Sequence, residues 1–357
     1  MNDIGMFDDE QLRGLKGRTP DQLLYVLGHP VMHSKSPAMY NALYQALGLD
    51  WAYGFADAEN DVQARMFLDA GAFLSVNITM PYKPLALSAA AGASVEARLA
   101  HGANVLVNTP DGYLADNTDG IGCVSYLKRR GVRFDGARVV VCGTGPTARA
   151  ILHACVVAGA HRVTVLSRSV ERATDALVGY RTAIDQMAAV ESYRSASDAF
   201  PDERPDDRAR FRAASDPASV RAAVHTAELV GSTYADDSAV STADVIIDAT
   251  SLGMRPGDPA PFSTRLIEPR QVVFDVVYGR GTTALIAGAR RRGAVAYDGA
   301  GMLVSQAVET VRDIAHVGAH ELAPELEPAR QLAARMRDVD LFSIMAHAAG
   351  FASLADA

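Results

Sequence analysis

From Leu23 the chain alternates short apolar runs of strand length with longer stretches whose apolar positions recur at helical spacing. Leu24–Leu27 reads as a strand ending at Gly28-His29-Pro30, and Pro37–Leu47 as an amphipathic helix with proline in its first turn. Phe73–Ile78 is a second strand, halted by Pro81. Val105–Val107 and Tyr113–Leu114 flank Pro110-Asp111-Gly112, a turn signal that predicts a hairpin. Ala137–Cys142, His161–Leu166, Ala243–Ala249 and Gln271–Val277 are continuous apolar runs of the kind buried strands need, and Arg149–Gly159 lies between the first two with helical length. Repeated alternation of this kind predicts an α/β protein with a parallel sheet and helices on both faces.

Three segments stand outside the rhythm. Residues 1–20 form a polar leader. Between about 190 and 237 the chain is rich in Ser, Ala, Asp and Arg, including the run Phe200–Arg208, and predicts an exposed insertion dispensable for chemistry. The tail from His320 to Ala357 holds helical patterns such as Leu341–Met345, which suit either the core or a subunit contact.

Composition narrows the class. A chain of 357 residues has room for two domains. A formal net charge of -8 argues against a general nucleic-acid binder, which would carry a basic face. No apolar run approaches the roughly 18 residues of a membrane span, and the acidic N-terminus lacks a secretory pattern, so a cytoplasmic protein is expected. Cys123, Cys142 and Cys155 have no metal-site spacing, and no His/Cys/Asp cluster suggests a metal.

The densest chemical signal is Gly143-Thr144-Gly145-Pro146-Thr147-Ala148, set between a strand and a helix with another strand beyond. In that setting G-x-G-x-x-A is a dinucleotide fingerprint: the glycines let the backbone approach a pyrophosphate, which the helix N-terminus stabilises. The end of the second strand bears on which dinucleotide. Ser167-Arg168-Ser169 stands where an NAD site usually places an acid, and a guanidinium between two hydroxyls suits a 2′-phosphate instead. The expected cofactor is NADP.

Four further segments set polar side chains beside strand ends and glycines. Ser34 and Ser36 precede a helix, where hydroxyls suit a carboxylate, although Ser36 also reads as a plain N-cap. Thr79 and Lys83 follow the second strand, Asn117-Thr118-Asp119 follows the hairpin, and Gln306 lies four residues beyond Met302 on a helical pattern.

In order and spacing, these segments resemble the shikimate dehydrogenase family. The matching motifs are Ser34-Lys-Ser-Pro37, Asn77-x-Thr-x-Pro-Tyr-Lys83, Asn117-Thr-Asp119, the Gly143 loop, Ser167-Arg-Ser169, Ala249–Met254, Asp275-x-x-Tyr278 and Gly301–Gln306. The resemblance implies two domains: substrate binding over 21–120 and a Rossmann-type NADP-binding domain over 121–298. Residues 299–357 would be C-terminal helices returning to the first domain, plus an extended tail. It implies reduction of 3-dehydroshikimate to shikimate with NADPH, in chorismate and aromatic amino-acid biosynthesis. Lys83 and Asp119 would be the catalytic pair. Ser34, Ser36 and Tyr278 would hold the substrate carboxylate, and Thr79, Asn104 and Gln306 its ring hydroxyls. Gly143, Thr144, Gly145, Pro146, Thr147, Ala148, Ser167, Arg168, Ser169, Thr250 and Gly301 would bind the cofactor. Asn108, in Val107-Asn108-Thr109, looks like the family's V-N-T, yet spacing to Lys83 and Asp119 favours Asn104. Asn77 would support the loop rather than touch substrate. Pro146 departs from a usual glycine, and Ser167 and Ser169 from a usual Asn and Thr.

Ketone reduction leaves an alkoxide that must be protonated, and a lysine ammonium within reach both polarises the carbonyl and supplies the proton. Asp119 would hold Lys83 in place, with substrate in the cleft between the domains. Two other readings stay open at this point: an NAD-using quinate/shikimate dehydrogenase, and a catalytically silent metabolite sensor on the same fold. Monomer and homodimer are both compatible with the sequence.

Overall fold

The computed structural model describes residues 17–197, 217–319 and 326–355. They divide into two compact units: residues up to Thr118 together with those from Gln306 onward, and residues from Asp119 to Ser305.

The first unit opens with β1 (Leu23–Gly28), α1 (Ser36–Ala46), β2 (Ala52–Asp57), α2 (Asp61–Ala70) and β3 (Ser75–Ile78). It continues through α3 (Lys83–Ser88), β4 (Gly92–Ala93), α4 (Val95–Ala100), β5 (Val105–Thr109) and β6 (Gly112–Asp116). The sheet order is β2-β1-β3-β5-β6-β4. This sheet is mixed rather than parallel: β1 pairs parallel with β2 and β3, whereas β3–β5 and β5–β6 are antiparallel. The expected hairpin is the cause. Its tight turn joins Thr109 to Gly112 across β5 and β6, and only an antiparallel pair can be closed so tightly. Aromatic side chains fill the core on the β1–β3–β5 side, with Phe73 stacked on both Phe67 and Tyr113 at 5.2 and 5.5 Å between ring centres.

The second unit begins with α5 (Asp119–Arg129), β7 (Arg138–Cys142), α6 (Pro146–Val157) and β8 (Arg162–Ser167). Then come α7 (Val170–Ser197), α8 (Pro217–Thr226), β9 (Glu228–Thr233) and α9 (Asp237–Thr242). β10 (Val245–Asp248), β11 (Val272–Asp275), α10 (Ala284–Arg291) and β12 (Val295–Tyr297) complete it. Its sheet runs β12-β11-β10-β7-β8-β9, parallel throughout. Counted from β7 this is the order 3-2-1-4-5-6 of the dinucleotide-binding doubly wound fold. The central strands are buried apart from their first residues, whereas the edge strands β9 and β12 are only half covered, as parallel sheets require.

The expected insertion over 190–237 needs correction. α7 continues to Ser197, and β9 pairs residue by residue with β8 from Arg162↔Glu228 to Ser167↔Thr233. Val220 and Val224 of α8 are buried. Glu228–Thr233 is therefore a strand of the sheet, preceded by the packed helix α8, and removing the whole segment would strip the sheet's edge strand. Residues 198–216 of that expectation lie outside the described residues.

The chain closes with α11 (Ala300–Ala319), α12 (Glu327–Arg335), α13 (Leu341–Ala348) and α14 (Ala352–Ala355). α13 packs on α1 with Met345 and Ala346 fully buried, and the Arg335 guanidinium donates to the carbonyls of Leu47 and Gly48 just past α1. The Leu341 pattern is thus core in the first unit.

Two acids end adjacent strands of the second sheet. Asp248 and Asp275 stand in register, both buried. Asp248 accepts from the Thr250 N–H at 2.9 Å; Asp275 accepts from the Val277 N–H at 3.0 Å and the Thr283 hydroxyl at 2.6 Å. Burial, then the neighbouring Asp275, pushes the Asp248 carboxyl from its ordinary 3.8 to about 7. Between those values the folded chain keeps a proton that the unfolded chain has released, so this group's contribution makes stability fall as pH rises through the window. In Asp248→Asn that loss, about 1.4 kcal/mol per pH unit at most, should largely vanish. Denaturant unfolding of both proteins at pH 5 and pH 8 reads the difference, and equal pH slopes would refute the assignment.

Candidate active site

In the first unit, the polar residues singled out from sequence gather where β1, β3 and β6 end and β5 begins. Ser36 is the first residue of α1, and Ser34 Oγ accepts from its N–H and donates to its Oγ, both at 3.2 Å. The N-cap is Lys35, which makes no side-chain cap, so plain capping does not explain Ser36. Thr79 follows β3 and is half-buried; its N–H donates to Leu27 O at 2.9 Å, tying the exit of β3 to that of β1.

Lys83 starts α3 and is half-buried. Its carbonyl accepts from Ala103 N–H at 2.9 Å. A Cβ at Gly102 would stand 3.0 Å from Lys83 Cβ, so the missing side chain at 102 is what lets the two segments close. The Gly102 carbonyl in turn accepts from Asn117 Nδ2 at 2.7 Å.

Asn104, 3% exposed, is the hub of a buried polar network. Its Oδ1 accepts from Thr118 N–H at 2.8 Å, and its Nδ2 donates to Thr118 Oγ1 at 2.9 Å. Thr118 Oγ1 donates to Gln306 Oε1 at 3.3 Å. Asn77 Nδ2 donates to Asn104 O at 3.3 Å and to Thr310 Oγ1 at 3.1 Å, and Asn77 Oδ1 accepts from Tyr53 OH at 2.8 Å. Thr310 returns to Gln306 O at 3.1 Å. Asn104 and Gln306 are thus brought together, with Asn77 in support. Asn108, by contrast, donates to Gly71 O at 2.8 Å and Phe73 O at 3.0 Å, a purely structural duty.

Asp119 opens α5 and is buried, with Oδ2 accepting from Thr147 Oγ1 at 2.8 Å. The division between units falls between Thr118 and Asp119, so Lys83 and Asp119 belong to different units. Tyr278 lies half-buried just after β11 in the second unit, its phenol pKa raised by burial.

The glycine loop links β7 to α6. Gly143 has φ +109, a region L side chains rarely adopt, and a Cβ there would come within 3.2 Å of Ala249 O. Gly145 differs: apart from its own chain neighbours, no protein atom lies within 4 Å of where its Cβ would be, and its φ is an ordinary −74. Nothing in the chain demands glycine at 145, whereas a close-lying pyrophosphate would. Gly145 is also the N-cap of α6 and caps with no side chain. Pro146, the departure noted above, sits in the first turn, where its missing N–H costs nothing. Ala148 is buried beneath the loop. At the end of β8, Ser167 Oγ donates to Ser169 O at 2.9 Å and accepts from Ser169 N–H at 3.3 Å, leaving Arg168 exposed at the tip. Thr250 follows β10, its Oγ1 accepting from Leu252 N–H at 3.1 Å. Gly301 has a packing reason of its own, since any side chain there would strike the Tyr126 ring.

Sequence reasoning missed Arg149. Its Nε donates to Thr144 O at 3.0 Å, which folds the half-buried guanidinium back over the loop, and burial lowers its pKa. An arginine six residues after the first loop glycine was the available signal. Together the open Gly145, the uncapped α6, Arg149 and the exposed Arg168 fit a phosphorylated dinucleotide. The three cysteines are buried, and burial raises their thiol pKa values, so they are inert core. Among the described residues no cluster of His, Cys, Asp or Glu could hold a metal, and no helix is long and apolar enough to cross a membrane.

Comparison with known proteins follows the same division. Residues 26–106 match the family model of the shikimate dehydrogenase substrate binding domain. A shikimate dehydrogenase (NADP(+)) of Methanothrix thermoacetophila is 35% identical over 289 residues, 80% of this chain and 89% of that protein. One from Rubrobacter xylanophilus is 32% identical over 81% of this chain and 89% of its own length. Among solved structures, shikimate 5-dehydrogenase of Thermus thermophilus in complex with NADP(H) and shikimate superposes with a TM-score of 0.63 at 23% identity, covering 88% of this chain and 98% of that one. The ligand-free 5-ketofructose reductase of Gluconobacter sp. strain CHM43 gives 0.60, also at 23%, over 89% and 99%, so the fold by itself does not select a substrate. With relatives this similar across nearly their whole length, the chain belongs to the shikimate dehydrogenase family.

Proposed function

We propose that this protein catalyses the NADPH-dependent reduction of 3-dehydroshikimate to shikimate, a step in chorismate and aromatic amino-acid biosynthesis. The first unit would supply most of the substrate-binding residues, and the second the cofactor site together with Asp119 and Tyr278. One observation carries the reading: a single chain joins a buried amide and hydroxyl network, near the start of α3, to a 3-2-1-4-5-6 sheet with an open glycine loop. Curated relatives named shikimate dehydrogenase (NADP(+)) support it.

NADPH, when bound, supplies hydride to the ketone carbon. The oxygen left negative takes a proton from the Lys83 ammonium, so hydride and proton together turn C=O into CH–OH. Asp119 is the second member of the acid–base pair. Ser34, Ser36 and Tyr278 receive the substrate carboxylate, while Thr79, Asn104 and Gln306 recognise ring hydroxyls. Asn104 suits that task because Thr118 pins its amide in one orientation. In the second unit the glycine loop and α6 N-terminus receive the pyrophosphate, and Arg168 the 2′-phosphate.

Lys83→Ala should lower kcat by about a hundredfold or more while shikimate affinity stays within about threefold, because proton donation acts in the transition state. A raised KM with kcat preserved would refute the proton-donor role. Arg168→Ala should weaken NADP binding by about ten- to hundredfold and leave NAD nearly unchanged, as expected for a lost charge-assisted contact. Nicotinamide absorbance with shikimate or quinate, each paired with NADP or NAD, reads both variants. Preference of the unmodified protein for quinate with NAD would overturn the proposal.

A further inference from the structure

The hydrogen bond from Thr147 to Asp119 joins two residues to which the reaction gives separate tasks. Thr147 lies in the first turn of α6, on the cofactor loop, whereas Asp119 opens α5. Thr147 Oγ1 donates to Asp119 Oδ2 at 2.8 Å. Packing fixes the same pair of helix ends independently: a Cβ at Gly120 would collide with the Ala150 carbonyl oxygen and stand 3.1 Å from Ala154 Cβ. Only a residue without a side chain lets the start of α5 lie this close to α6. The backbone of Asp119 is thereby set against the loop helix, and the hydroxyl of Thr147 then selects the orientation of its carboxylate. Asp119 is 6% exposed, so water has little access with which to replace that bond.

We infer that Thr147 is a positioning residue for the acid–base chemistry, acting through Asp119 rather than as a cofactor ligand alone. By bonding one carboxylate oxygen it fixes the orientation in which Asp119 presents the other. A valine at 147 keeps the shape and removes the donor. A serine keeps the donor. The inference rests on the reading of Asp119 as the partner of Lys83, and the experiment separates the two.

Four proteins are compared in the full-length chain: Thr147→Val, Thr147→Ser, Asp119→Asn and the double variant Thr147→Val/Asp119→Asn. Thr147→Val should lower kcat by about tenfold, with KM for shikimate and Kd for NADP within about threefold, the loss expected for one hydrogen bond to a charged group. Thr147→Ser should recover to within about threefold of the unmodified protein. In the Asp119→Asn background, adding Thr147→Val should cost less than about twofold, because the two residues act as one unit. NADP binding is read by protein fluorescence, separately from turnover. Weakened NADP binding with kcat intact would make Thr147 a cofactor ligand only and overturn the inference, as would full additivity in the double variant. Asp119→Asn at full turnover would instead refute the acid–base reading of Asp119. Impaired Asp119→Asn beside a fully active Thr147→Val would refute the positioning role alone.

Discussion

A side-chain amide shut away from water must find partners inside the protein, and much of the first unit follows from that demand at Asn104. Its oxygen and nitrogen both go to Thr118, which fixes the chain leaving β6; its carbonyl goes to Asn77, which fixes the end of β3. Through Thr118 and Thr310 the same set reaches Gln306 and the latter part of α11. Four distant stretches of sequence are thereby held by one connected network. Partial loss is costly in such a network, because every orphaned member keeps its desolvation penalty. The tyrosines around it are equally committed: burial raises the phenol pKa of both Tyr40 and Tyr53, and their rings stack at 4.4 Å.

The second unit depends on close backbone approach instead. Parallel strands bring loop, helix start and strand end to one edge of the sheet, and glycines decide how near they come. Two kinds of glycine serve there. Gly143 is required by the fold itself, since its dihedral and the Ala249 carbonyl exclude a side chain. Gly145 is not: its dihedral is ordinary and its Cβ position is open, so the fold alone gives no reason for a glycine there.

Much of this was legible in the sequence because local signals and global fold agreed. The apolar runs of β7, β8, β10 and β11 are continuous, as doubly buried strands must be, and the Pro110-Asp111-Gly112 turn announces its hairpin. β9 was illegible for the opposite reason. Glu228–Thr233 has one exposed and five half-covered positions, so an edge strand reads as a polar linker. The mixed pairing of the first sheet was also hidden, since pairing direction beyond a hairpin is a long-range matter. At the site, residue types could be read from motifs, but the partners of Thr118, Thr147 and Arg149 could not, because each bond depends on how separate loops and helix ends meet.

The way Lys83 is held has an evolutionary consequence. Its place is set by its main-chain carbonyl on Ala103 and by Gly102 lying flat against its Cβ, contacts that any residue with a Cβ could make. These two contacts constrain only the backbone and Cβ at position 83. After a gene duplication, this part of the lysine's setting would survive a change of side chain in one copy. The turn into α3 and its seat against Gly102 could thus outlast whatever chemistry the side chain performs.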